Sequence, residues 1–222
     1  MSGLERWRES AKKAWGQWRI RLARLVSGLK IAPDQLADAD PVARWRALRA
    51  LMQTPRPDLL PVLLALAEDP DELVRAEVAD VLVSWGPDVA LEPVRGALAD
   101  HPAPASAEIL LTILARLPDP AHRDALRPWL EHEDAMVRAA AFMALAALCE
   151  NSDLPQLEEA LAEGEIHAQR AILTTLCAPE AGPLAERALA SSDPIVRQRA
   201  AQAGPRIQRN LEAAHKAEKA QV

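Results

Sequence analysis

Five histidines and two cysteines are the obvious candidates for metal or nucleophilic chemistry in this 222-residue chain. His101, His122, His132, His167 and His215 fall in turns or on polar helix faces, with none of the spacing of a His-Glu-x-x-His zinc pair. The sequence holds neither a glycine-rich phosphate loop nor a nucleophile elbow. Cys149 and Cys177 lie near the ends of apolar segments and form no Cys-x-x-Cys pair, so both are expected to be buried, inert thiols in an intracellular protein. Adjacent carboxylates are numerous, but on acidic surface helices they read as solvated faces. The expectation is therefore no catalytic residue, no cofactor and no metal, with only the groove left to assemble groups distant in the chain.

One polar group does recur at fixed spacing. Asp134-Ala135-Met136-Val137-Arg138 opens with an acidic turn, offers an arginine four residues later, and runs on apolar through Leu145. Copies stand at Asp40 with Arg44, Asp71 with Arg75, and Asp193 with Arg197. Ala107 takes the arginine's place in one degenerate copy and Gln169 in another. Leu51, Leu82, Leu114, Leu145 and Leu176 are spaced 31, 32, 31 and 31 residues apart. A fixed period of this length signals stacked supersecondary units, each unable to bury its apolar face alone.

Each unit must be a pair of helices. Alanine and leucine dominate, and most of the 18 prolines fall in turns or first turns, where their missing N–H costs nothing. The spacing predicts helices over 41–52, 58–68, 72–84, 88–99, 105–117, 121–131, 135–149, 153–162, 166–177, 180–190 and 194–203. Gly86, Gly164 and Gly204 are expected as C-caps, and Trp129 is expected to fill a leucine's place. Residues 3–29 read as a further, long helix, with Trp7, Trp15, Trp18, Leu22 and Leu25 on one apolar stripe.

On the Asp-x-x-Val-Arg turn and the period, residues 40–204 resemble the HEAT-repeat family, in particular the short HEAT-like repeats of the phycobilisome-lyase type. The resemblance implies an all-α, right-handed α-α superhelix of about six helical hairpins. It also implies a structural ladder of contacts between adjacent repeats, involving Asp40 with Arg44, Asp71 with Arg75, Asp134 with Arg138 and Asp193 with Arg197. Its second helices would line a concave face. Positions two, five and nine after the motif arginine then give Arg46, Arg49, Glu77, Asp80, Ser84, Thr112, Arg116, Met143 and Thr174 as groove residues. Trp45 follows Arg44 and is either an interface anchor or a cover for the terminal repeat.

Charge sets the partners. Residues 1–30 carry eight basic and two acidic groups, whereas the rest of the chain carries 18 basic and 30 acidic. An acidic body disfavours nucleic acid, so a role like that of HEAT-like DNA glycosylases is the weaker alternative. The bilin lyases implied by the repeat type, which act on light-harvesting proteins, are the other. The favoured reading is a non-catalytic scaffold, adaptor or assembly factor that grips a protein partner. Residues 1–30 would form a basic amphipathic helix that caps the array or docks on a partner or an anionic membrane. Residues 31–204 would form the solenoid, and 205–222 a charged extension. No segment is apolar enough to span a membrane, and a cytoplasmic location is expected, peripheral where the helix meets a membrane.

Overall fold

The structure, a computed structural model, describes residues 33–52, 54–148 and 150–220. The expected helix over residues 3–29, its tryptophans Trp7, Trp15 and Trp18, and Leu22 and Leu25 lie outside the described residues. Those described form α-helices joined by short turns, without a strand. A 3-10 turn, Pro33–Ala37, precedes α1 (Pro41–Leu51), α2 (Leu60–Leu66), α3 (Glu72–Trp85), α4 (Pro87–Ala99) and α5 (Pro104–Arg116). There follow α6 (Arg123–Leu130), α7 (Ala135–Ala147), α8 (Leu154–Glu163), α9 (Ile166–Thr175), α10 (Gly182–Ala188) and α11 (Pro194–Ala220).

Two layers result. The odd-numbered helices α1, α3, α5, α7, α9 and α11 each pack on the next in order and form the inner layer. The even-numbered helices pack beneath them, each against the inner helix that follows it. Among the described residues this is an α solenoid of five complete hairpins preceded by α1. The leucines that set the period are its spine: Leu51, Leu82, Leu114, Leu145 and Leu176 are all buried. Each contributes roughly 1.5–3 kcal/mol relative to an exposed position. Trp129 is buried in the outer layer in the register of Leu66 and Leu98, and His132 stacks on it at 5.6 Å.

Local chemistry fixes where the inner helices start. Asp40, Asp71 and Asp134 are N-caps whose carboxylates accept from the second residue of the helix, Val42, Leu73 and Met136, at 2.8–3.0 Å. Asp193 does the same for Val196 at 2.8 Å. Such caps stabilise a helix by about 1 kcal/mol. Gly86 ends α3 at φ 83°, a left-handed conformation that glycine alone adopts without strain. Gly164 ends α8 for a different reason, since a Cβ there would stand 2.1 Å from the carbonyl oxygen of Ala160.

The motif arginines do something the family resemblance did not imply. Among the described residues none pairs with the acid of its own motif. Arg44 donates from Nη1 to the carbonyls of Asp38 and Ala39, and Arg75 to those of Asp69 and Pro70. Arg138 reaches His132 and Glu133, and Arg197 reaches Ser191 and Ser192. Each guanidinium thus folds back on the turn five and six residues before it. The acid of each motif meanwhile caps the helix that follows it. Gln169 plays the arginine's part with one bond, to the carbonyl of Gly164 at 3.1 Å. The free edge of the guanidinium then serves the next repeat: Arg44 makes a two-point bond to Asp69, both at 2.7 Å, and Arg138 pairs with Glu165.

Two other expectations are corrected. The chain does not leave the body at Pro205: α11 runs unbroken through Gly204 and Pro205, so Gly204 is not a C-cap. Beyond the proline, Ile207 is buried, Arg206 donates to the carbonyls of Leu173 and Leu176, and Asn210 donates to that of Cys177. These bonds hold this part of the helix on the preceding repeat. Cys177 is buried but disulfide-bonded rather than a free thiol, and Cys149 lies outside the described residues.

The buried Arg44–Asp69 pair should be the least replaceable of these joints. Arg44→Ala strands a buried carboxylate and is expected to cost about 3–5 kcal/mol. Gln169→Ala removes one neutral hydrogen bond and is expected to cost about 1 kcal/mol. Urea-unfolding midpoints of the two variants check the order.

Candidate protein-binding face

The inner layer presents one continuous face, and repeat register decides what lies on it. The fifth residue after the arginine position is Arg49 in α1, Asp80 in α3, Thr112 in α5, Met143 in α7 and Thr174 in α9. These residues occupy one register position in five successive inner helices, each exposed or half-buried. Arg46 and Arg116 are also exposed.

Most of these side chains are held by a neighbour. Arg116 and Asp80 pair across adjacent repeats at 2.5 Å. Arg49 lies 5.2 Å from the centroid of the Trp45 ring and 3.7 Å from the Glu77 carboxylate. Trp45 is half-buried and packs on the core, so it is neither a free anchor nor a wholly covered one. Thr174 donates to the carbonyl of Arg170 at 2.8 Å and accepts from Arg199 at 2.6 Å. Met143 is half-buried against the core, and its carbonyl accepts from Thr175 at 2.6 Å.

Two expected groove residues are spent on structure. Ser84 donates to the carbonyls of Val81 and Met52, beside Trp85, whose indole N–H donates to Leu51 at 2.9 Å. Glu77 is buried, with one carboxylate oxygen shielded from solvent and unbonded. Its place two residues after Arg75 suggested the groove, but it faces the joint with α1.

Other polar groups emerge only in three dimensions. Arg170 bonds Asp193 of the following repeat, with Nε at 3.2 Å, and this donor beside the cap bond holds the Asp193 carboxyl down to about 2. Glu108, half-buried in α5, is pushed up by burial and by Asp134, against the pull of Arg75. In the outer layer, burial raises Asp153 although Arg123 stands 3.2 Å away, and His122 is buried near Glu92. The only sequence signal for these was a polar residue in columns that other repeats fill with alanine or leucine, such as Leu59, Ala90 and Ala181. Among the described residues no group of His, Cys, Asp or Glu is arranged to hold a metal. A cleft of about 670 Å³ opens between α8, α9, α10 and α11, lined by Leu161, Ile166, Gln169, Leu184 and Val196. Arg187 and Glu158 pair across its rim at 2.5 Å.

A face of capped, register-locked helices with no reactive cluster is that of a repeat array, and comparison with family models agrees. The HEAT-repeat model matches residues 33–111 and 93–177. The chain belongs to the HEAT-repeat family. The match is to HEAT repeats in general and does not extend to the phycobilisome-lyase type. No curated protein matches the chain. HEAT repeats generally mediate contacts between proteins, and no described helix is long and apolar enough to cross a membrane.

Two measurements probe the charged members of this HEAT array. Glu77→Met exchanges a poorly bonded buried carboxylate for an apolar chain of similar size, and is expected to raise stability by about 1 kcal/mol in urea unfolding. The depressed Asp193 carboxyl contributes stability that is present above the ordinary carboxylate range and lost as pH falls toward 2. The stability gap between the parent and Asp193→Asn should therefore hold at neutral pH and shrink as pH falls from about 4 to 2.

Proposed function

We propose that this HEAT-repeat protein is a non-catalytic scaffold or assembly factor that grips a protein partner on its inner face. The observation that carries this reading is the series from Arg49 to Thr174, which repeats one side-chain position across five helices while its chemistry changes from basic to acidic to neutral. A uniform basic column would suit a polyanion. A mixed column whose charges are already paired within the fold suits a folded protein surface, which offers both signs and apolar patches. Neighbour contacts also fix these side chains in advance, which lowers the entropy cost of binding.

A role as a bilin lyase or a DNA glycosylase has no particular residue on this face to favour it. The body from residue 31 onward has 18 basic groups against 30 acidic, and DNA affinity grows with the phosphates neutralised. An amphipathic segment at residues 1–30 would serve as a second handle, for the partner or for the cytoplasmic side of a membrane.

The test is affinity purification of the full-length protein beside two variants. In one, Arg46→Glu and Arg116→Ala alter the inner face; in the other, Glu159→Lys and Glu186→Lys alter the outer layer. All four positions are exposed, so both variants should fold. A partner held in stoichiometric amount by the parent and the outer variant, and lost from the inner variant, is the expected result. Retention by the inner variant would sink the assignment of this face. A co-purifying coloured chromophore, or salt-sensitive binding to duplex DNA, would favour the corresponding enzyme.

A further inference from the structure

The large apolar side chains left exposed on the described residues are not scattered. Val42, Leu73, Met136 and Ile195 are each the second residue of an inner helix, Ile166 is the first residue of α9, and Leu189 closes α10 just before the next turn. All of them lie on the edge of the solenoid where the motif turns are, and Leu73 is 70% exposed. The same edge is acidic. Asp38, Asp40, Glu72, Asp100 and Glu133 are exposed along it, while the motif arginines are turned inward onto carbonyls. Residues 31–193 together carry 12 basic and 28 acidic groups. A row of apolar studs in a negative field is complementary to a basic amphipathic helix.

The sequence of residues 1–30 has that pattern of basic and apolar residues. Residues 1–30 hold eight basic groups and three of the six tryptophans, and they join the body at Pro33, beside the first stud. We infer that this N-terminal segment lies along the turn edge of its own solenoid, with its tryptophan–leucine stripe on the studs and its basic flanks over the acidic turns. The dimensions agree. Stacked inner helices stand roughly 8–10 Å apart, and seven residues of α-helix advance about 10 Å. Leu4, Ala11, Trp18 and Leu25 are seven residues apart. With Leu25 at Val42, Trp18 falls on Leu73, Ala11 on Ala105 and Leu4 on Met136. The small pair then meets at the one stud position of the first four that has no large side chain.

This inference stands apart from the inner-face reading, because the edge and the groove are different surfaces, and it takes the place of the second handle, since the same stripe cannot serve both. Its test exploits the lysines, which occur only at positions 12, 13, 30, 216 and 219. A carbodiimide, which joins lysine to carboxylate without a spacer, is applied to the full-length protein and the cross-links are mapped by mass spectrometry. An equal mixture of ordinary and 15N-labelled chains separates links within a chain from links between chains. Lys12 and Lys13 are expected to join Glu72, Asp100 or Glu133 within one chain. The double variant Glu72→Lys and Glu133→Lys should lower the remaining Lys12 and Lys13 links to the edge by about tenfold, because like charges then face each other. Links from Lys12 or Lys13 to Asp58 or Asp88 would instead make the segment the missing first outer helix. Links only between chains would make the edge a contact between copies. Either result, or no link to the edge, overturns the proposal.

Discussion

The array depends on how each motif turn satisfies its own backbone. Between an outer and an inner helix the chain reverses within a few residues, and the carbonyls ending one helix and the N–H groups opening the next both lack helical partners. The acid takes the N–H groups and the arginine takes the carbonyls. One side chain cannot serve both, since a carboxylate only accepts and a guanidinium only donates. The motif is thus two complementary halves of one task, and their four-residue spacing puts them on either side of the same turn.

Stacking follows once the turns are fixed. On the opposite edge, the carbonyls at the ends of inner helices are met by donors from the following repeat: Ser84 and Trp85 for α1, and Arg206 and Asn210 for α9 and the residues just after it. Polar bonds therefore tie the first and last repeats to their neighbours at both ends of the helices, and leucines fill the space between. At the last described joint α11 is long, and side chains beyond Pro205, Arg206 and Asn210, supply the donors to the end of α9 and just after it.

Periodic features were therefore legible in the sequence and exceptional ones were not. Leu51 through Leu176 gave the helix pairing, because a core position recurs in every unit. Asp40, Asp71 and Asp134 suggested partners for the arginines, but spacing cannot distinguish a contact between two side chains from two separate contacts to backbone. Pro205 argues for a stop on local grounds, yet Arg206, Ile207 and Asn210 outweigh it through contacts some 30 residues away. Glu77 reads as groove-lining by register and is buried because its neighbour is α1. On the inner layer Arg49, Asp80, Thr112 and Thr174 are exposed or half-buried, whereas the bonds of Arg170 and Arg199 needed the structure, since their partners lie in the next repeat or the one before.

The degenerate repeat shows what compensates when the motif fails. Ala103 caps nothing with its side chain, and Ala107 cannot hold the turn. Yet α5 packs closely on α7, whose Ala139, Ala140, Ala141 and Ala144 are buried. Small side chains bring helix axes together and multiply dispersion contacts between them. The middle of the array is thus held by proximity and the first joint by a buried ion pair. In a linear array each interface is stabilised by nearest neighbours alone, so the two kinds of joint respond differently to charge. Ion pairs join α1 to the turn before α3 through Arg44 and Asp69 and α9 to the turn before α11 through Arg170 and Asp193, while buried alanines dominate the contact of α5 with α7.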